Sequence, residues 1–161
     1  MKEKLIFKGE SMKTLNIIFG LALLFVITNA HAAEGLISVK SPLSAKATMD
    51  KFEHLAKQKG LNIFARIDHA AAAKKVDKQL NPTEVLIFGN PKGGTPLMQC
   101  AQTIGIDLPL KALVWEDEQS QVWLSYNDPA YIAERHNAVN CPAAKKIGKV
   151  LHTLATTTVK Q

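Results

Sequence analysis

Between Phe88 and Pro96 the chain reads FGNPKGGTP, the stretch whose residue types and spacing come nearest to chemistry. Gly89 and Gly94 stand five apart, as in a phosphate loop, but Thr95 occupies the lysine position and Lys92 comes three residues too early. That spacing excludes a nucleotide triphosphatase. A more general chemistry survives it. A glycine loop entering a helix at Pro96, capped by Thr95, would point free N–H groups from Gly93, Gly94 and Thr95 along the positive end of the helix dipole. Lys92 would add a full charge, and Asn90 completes the candidate anion site. A carboxylate, sulfate or phosphate could dock there. The plain structural alternative is that the glycines only permit a tight strand-to-helix turn.

The titratable residues near strand-to-loop junctions are Asp68, His69, Lys92, Asp107 and Asp128. Asp68 or His69 as general base would make a hydrolase or lyase, but neighbours on a strand point to opposite faces, which makes them a poor dyad unless the chain turns. No nucleophile stands beside a base at a recognisable spacing such as G-x-S-x-G. Whether the chain is an enzyme is therefore left open, with a non-catalytic role preferred and no catalytic residue assigned. His54, His69, His136 and His152 show no ligand spacing, and no C-x-x-C-H occurs, so no metal and no cofactor is assigned. Asp68, His69, Asp107 and Trp115 are the candidate lining of a pocket beside the loop. Trp115 and Trp123 fall opposite each other if Glu118 to Ser120 form a three-residue hairpin loop; the pair serves core or interface packing, or an aromatic ligand platform.

These residues need elements to position them. GLISVK alternates as a strand from Gly35 to Lys40, and a helix from Ser44 to Gly60 turns Ala45, Met49, Phe52, Leu55 and Ala56 to one face. A second strand, Leu61 to Asp68, places Leu61, Ile63, Ala65 and Ile67 on one face. HAAAAKKV is a short helix. Val85 to Phe88, four apolar residues in a row, has the mark of a strand covered on both faces. A helix from Pro96 carries Leu97, Ala101 and Ile104 and ends at Gly105. Leu110 to Trp115 and Val122 to Tyr126 form a hairpin, and Asp128-Pro129 opens another helix. The last helix follows Cys141-Pro142, with Ala143, Ile147, Val150, Leu151 and Leu154 inward. The order predicts an α+β fold, a two-layer sandwich with a mostly antiparallel five-stranded sheet and helices packed on one face; a doubly wound parallel sheet is the alternative.

The whole chain bounds the setting. Leu15 to Ile27 is a 13-residue apolar run behind Lys13, followed by TNAHA, whose Ala30 and Ala32 fit the small-residue cleavage pattern. Residues 1–32 are read as a cleaved signal peptide and 33–161 as one domain, periplasmic or secreted in a bacterium. An uncleaved anchor is the alternative, but a span needs roughly 20 apolar residues, so no membrane anchor is expected after cleavage. Met12 competes with Met1 as the start. The mature part carries 16 basic and 12 acidic residues, a net +4 spread along the chain. With no aromatic-basic motif, nucleic acid is not expected as a partner. Cys100 and Cys141 would form a disulfide in an oxidising compartment or remain two separate small buried residues. As a bridge they would close a loop of about 42 residues and stabilise by roughly 4 kcal/mol.

Four runs carry a resemblance: ARIDHAAAA, NPTEVLIFGNPKGGTPLM, DLPLKALVWED and YNDP. In this order they resemble the domain of unknown function 302 family from about Gly35 to Thr153. The resemblance implies a compact two-layer α/β domain and a homodimer, and it implies no activity. The chain departs from the family pattern at Ser120, where glycine is common in the hairpin turn, and the cysteine pair lies outside that pattern.

The preferred function is an exported, dimeric small-ligand or anion-binding or sensing module, its apolar groove closed by the glycine loop and its small molecule unknown. A hydrolase or lyase is the second reading, and a protein-interaction scaffold or stress protein the third. They separate in a structure. Binding needs an apolar pocket at the loop, catalysis needs titratable groups converging within about 3–4 Å, and a scaffold needs a flat apolar patch above a few hundred Å².

Overall fold

The computed structural model describes residues 34–160; the signal peptide expected over residues 1–32 lies outside them. Five strands form one antiparallel sheet: β1 (Leu36–Ser41), β2 (Asn62–Asp68), β3 (Thr83–Gly89), β4 (Leu110–Glu116) and β5 (Val122–Asn127), in the order β1-β5-β4-β3-β2. The helices are α1 (Ala45–Gln58), α2 (His69–Lys74), α3 (Pro91–Cys100), α4 (Pro129–Arg135) and α5 (Pro142–Thr158), with a 3₁₀ turn at Gln102–Ile106. The two-layer α+β sandwich is as the sequence predicts.

The core lies between the sheet and the long helices α1 and α5. Leu86 and Phe88 from β3, Ala112 and Val114 from β4, and Val122, Leu124 and Tyr126 from β5 meet Met49 and Phe52 of α1 and Leu151 and Leu154 of α5. Phe52 and Phe88 pack edge to face at 5.4 Å, a pair worth about 1 kcal/mol beyond its burial. Ser44 caps α1 by accepting from Ala47 N, and Asp128 caps α4 by accepting from Ala130 N, each removing one orphan donor. A second cluster, Leu97, Ile104, Ile132, Ala133, Cys141 and Ala144, ties α3, the 3₁₀ turn, α4 and the start of α5 together.

Four expectations are corrected. First, α3 begins at Pro91, with Asn90 as its cap, five residues before the proposed Thr95-Pro96 start. Two glycines and an internal proline are poor helix formers, each Gly costing about 1 kcal/mol and the Pro about 3, so propensity reads this segment as loop. The buried Leu97 and the covalent tie at Cys100 hold it helical instead. Second, that helix stops at Cys100. Ala101 is extended, with φ −158°, and Ile104 belongs to the separate 3₁₀ turn. Third, β2 does not keep Leu61, Ile63, Ala65 and Ile67 on one side. A bulge between Ile63 and Ala65 shifts the register, so Ile63 faces the helices while Ala65 and Ile67 pair with Ile87 and Val85 on the other side. Fourth, Val150 of α5 is exposed, and Ala144, Ala155 and Thr158 are buried with Leu151 and Leu154.

The run Val85–Phe88 is also covered on one side only. Leu86 and Phe88 are fully buried, whereas Val85 and Ile87 are only partly buried and belong to neither buried cluster. The face they occupy has no helix packed on it through buried residues.

Candidate functional site

The glycine segment is settled by its hydrogen bonds. The Asn90 side chain accepts from Lys92 N at 2.8 Å, and the Asn90 carbonyl accepts from Gly93 N at 2.9 Å and from Gly94 N at 3.0 Å. Two of the three donors proposed for an anion, Gly93 N and Gly94 N, are therefore spent at the start of α3. Asn90 Nδ2 in turn donates to Gly60 O, which pins the cap to the end of α1. Lys92 and Thr95 are exposed, and Gly93 lies against Ile147 of α5.

The proposed pocket residues are not brought together. Asp68 caps the short α2 by accepting from Ala71 N at 2.8 Å, and His69 is exposed at the first position of that helix. Among the described residues no hydrogen bond or ion pair links Asp68, His69, Trp115 and Asp107 to one another. No group of three or more His, Cys, Asp or Glu is placed to hold a metal ion among the described residues. Asp107 stands in a different cluster, which sequence spacing gave no signal for. Its carboxylate meets His136 Nε2 at 2.7 Å and Arg135 at 2.9 Å, while His136 Nδ1 meets Thr103 Oγ1 at 2.9 Å. These contacts fasten the 3₁₀ turn to the end of α4.

Trp115 and Trp123 are direct cross-strand partners, stacked with ring centroids 6.1 Å apart and planes at 18°. Trp115 Nε1 donates to Ser125 Oγ at 2.9 Å, and Ser125 also meets Ser38 Oγ at 2.7 Å. Trp123 Nε1 donates to Asp117 Oδ2 at 2.8 Å, and Lys40 lies over the Trp123 ring. The Trp123 bond, then backbone N–H bonds from Gln121 and Gln119, with Lys40 nearby, hold Asp117 below its usual carboxylate range. Its other oxygen closes the turn through Gln119 N and Gln121 N. Ser120 completes that turn in the left-handed region, with φ +59°.

The two tryptophans belong to a wider surface. Cross-strand partners share a face, so Ala65 and Ile67 of β2, Val85 and Ile87 of β3 and Leu113 of β4 lie beside Trp115 and Trp123 on the side away from the helices. Phe64, 57% exposed, is bulged out over Gly89 on the same side. None of these side chains is in a buried cluster. With strands about 4.8 Å apart and about 3.4 Å per residue, five strands present a plane of roughly 400 Å²; Ser38 and Lys40 of β1, Ser125 of β5 and Lys111 of β4 are its polar part. This face was legible in the sequence as the unbroken apolar run at Val85–Phe88, but the run was read as doubly covered.

Cys100 and Cys141 are joined, with Cα atoms 5.8 Å apart. They border a hollow of about 270 Å³ that Asn137, Ala138, Val139, Asn140 and Pro142 also line. Its lining includes none of the glycine-segment residues and none of Asp68, His69, Trp115 and Asp107. At the edge of the sheet, Arg66 donates to Glu84 at 2.9 Å, to Asp50 at 2.7 Å and to Glu53 at 3.0 Å. These carboxylates raise the Arg66 guanidinium further above its already basic range. Lys46 and Arg66 hold Asp50 below the usual carboxylate range, and Lys57 and Arg66 do the same for Glu53. Tyr126 is shifted up, chiefly by burial, and its Oη has no partner among the described residues.

Comparison with known proteins adds the following. Residues 37–154 match the family described as Domain of unknown function DUF302. A chain described as an uncharacterized conserved protein DUF302 from Bacillus stearothermophilus has the same fold, with a TM-score of 0.64 at 17% identity, over 79% of this chain and 97% of that one. Two curated relatives, each named fluoride-specific ion channel FluC 1, are 50% identical over 103 residues, or 64% of this chain. The match spans 41% of the relative from Brucella suis biovar 1 (strain 1330) and 38% of that from Brucella abortus biovar 1 (strain 9-941). This chain thus spans about two fifths of the curated relatives it matches. Among the described residues no helix is long and apolar enough to cross a membrane.

Proposed function

The chain belongs to the DUF302 family, and on that premise we propose that it is a non-catalytic protein-interaction module whose working surface is the open face of the sheet and whose occupant is a second copy of itself. One observation carries this reading: the face of the sheet turned away from α1 and α5 is apolar and contributes to neither buried cluster, with the short α2 in contact with β3. An exposed apolar patch of several hundred Å² marks an interaction surface. Two such planes face to face bury about 800 Å², the size of a weak, transient pair.

Charge favours self-pairing. Lys111 stands near one end of β4, while Asp117 and Glu118 stand at the hairpin beyond the other. A two-fold axis that runs β4 against the partner's β4 brings the lysine end of each copy to the acidic end of the other. Aligned sheet packing, at roughly 30°, suits this arrangement.

The ligand-binding reading is not favoured, because two of the three N–H groups assigned to it are bonded at the start of α3 and the hollow is lined by other residues. The hydrolase reading lacks a converged base and nucleophile. Fluoride conduction is a property named for the longer Brucella proteins, and we assign it to the part this chain does not share. Those relatives support a domain that works attached to other proteins. A place outside the cytoplasm is part of the proposal, supported by the leader pattern and by a cysteine pair suited to an oxidising compartment.

The test is the mass in solution. Sedimentation equilibrium of residues 33–161 between about 1 and 200 μM is expected to give twice the chain mass at the upper end, the range of ordinary small interfaces. A single-chain mass throughout overturns the reading.

A further inference from the structure

The disulfide beside the hollow has two sulfurs in unlike surroundings. Cys100 ends α3 and is exposed, whereas Cys141 is 3% exposed and is the N-cap residue of α5. Both line the hollow, with Asn137 and Asn140 at its wall. We propose that this disulfide is a thiol–disulfide exchange site, which takes the thiolate of an extended peptide or protein dithiol at Cys100 and passes its disulfide to that partner.

The direction of the exchange follows from the burial of Cys141 and from the helix it caps. An incoming thiolate reaches Cys100 Sγ from the hollow and forms a new S–S bond there. The Cys100–Cys141 bond breaks and its electron pair goes to Cys141 Sγ. A thiolate at that position is stabilised by the start of a 17-residue helix whose first turn holds no acidic residue, and the next two residues are Lys145 and Lys146. The N-cap side chain makes no hydrogen bond to the first turn in the oxidised protein; Pro142 carries no N–H and Ala144 N donates to the Cys141 carbonyl, which leaves Ala143 N as the donor for a thiolate. Attack in the opposite sense is blocked because Cys141 is buried.

The second thiolate of the partner then attacks the partner's own sulfur in the mixed disulfide. Cys100 leaves as a thiolate and takes a proton from water. The partner dithiol loses two electrons and becomes a disulfide, and the Cys100–Cys141 bond gains them and becomes two thiols. The better leaving group is the one whose thiolate is the more stable, which is Cys141.

The experiment uses the oxidised full chain under native conditions. A limiting amount of glutathione, a monothiol, is added, free thiols are trapped with N-ethylmaleimide, and peptides are mapped by mass spectrometry. Glutathione on Cys100 with the maleimide on Cys141 is expected in about tenfold excess over the reverse pattern. In a second measurement, dithiothreitol reduces the native protein about tenfold faster than the protein unfolds, followed by tryptophan fluorescence. An even distribution, an adduct mainly on Cys141, or reduction no faster than unfolding overturns the proposal. Unmodified protein carries both measurements, so neither depends on a variant that folds.

Discussion

Leu113→Glu is the sharpest perturbation of the open sheet face. Leu113 sits on the central strand, partly buried, between Val85 on β3 and Ser125 on β5. In an isolated copy the new carboxylate stands in water, and a surface change of this kind moves stability by about 0.5 kcal/mol. In a face-to-face pair it is stripped of water without a partner, which costs at least about 3 kcal/mol. Two-fold symmetry places two such charges in one interface, so the pair loses about 6 kcal/mol, or roughly four decades in Kd at about 1.4 kcal/mol per decade. Sedimentation equilibrium reads the association, and thermal melting at low concentration reads the fold. The expected result is a variant of single-chain mass at about 200 μM that melts within about 3 °C of the parent when both are dilute. If Leu113→Glu associates as the parent does, this face is not the contact. Val85→Lys repeats the test with the opposite charge, and repulsion across the same axis gives the same outcome.

Other expectations follow from single sites. Ser120→Gly removes the left-handed strain on a residue with a side chain, worth about 1–2 kcal/mol, and returns part of it as chain entropy; a net gain of up to about 1 kcal/mol raises Tm by about 3–5 °C in calorimetry. Arg66→Ala leaves Asp50, Glu53 and Glu84 without their shared cation and costs about 1–2 kcal/mol at pH 7 after allowance for solvent screening. Asp50 and Glu53 are held below their unfolded values, so what Arg66 contributes is present above about pH 4 and fades as pH falls through the folded values. Urea midpoints of parent and variant should converge toward pH 3; a constant gap counts against the network. Lys92→Ala is expected to leave thermal shifts with sulfate, phosphate and organic acids unchanged, because the neighbouring N–H groups are bonded within the helix; a shift lost on mutation revives the anion site.

The sequence revealed most of the fold through local signals that no tertiary force opposed. Ser44 and Asp128-Pro129 opened helices where capping chemistry places them. The two tryptophans fell into register because a short turn leaves one choice of pairing. Where it misled, tertiary packing outweighed local preference. Gly93, Gly94 and Pro96 read as loop, yet burial of Leu97 and the bond at Cys100 hold them in α3. The bulge at Phe64 turned Ala65 and Ile67 over, and no residue type announces a bulge of that kind. The run Val85–Phe88 fits a doubly covered strand as well as one with a bare apolar side, since hydropathy records what a face is made of and not what lies on it. His136 and Asp107, 29 positions apart, meet only because α4 folds back on the 3₁₀ turn.

The placement of β1 bears on how the molecule is made. The first strand to emerge during synthesis finds its hydrogen-bonding neighbour in the last one, with Leu36 opposite Asn127 and Ser38 bonded to Ser125 across 87 positions. Closing the layer must therefore wait until nearly the entire polypeptide is available, a late, non-local step that slows folding. Until β5 forms, β1 stands without the strand it pairs with.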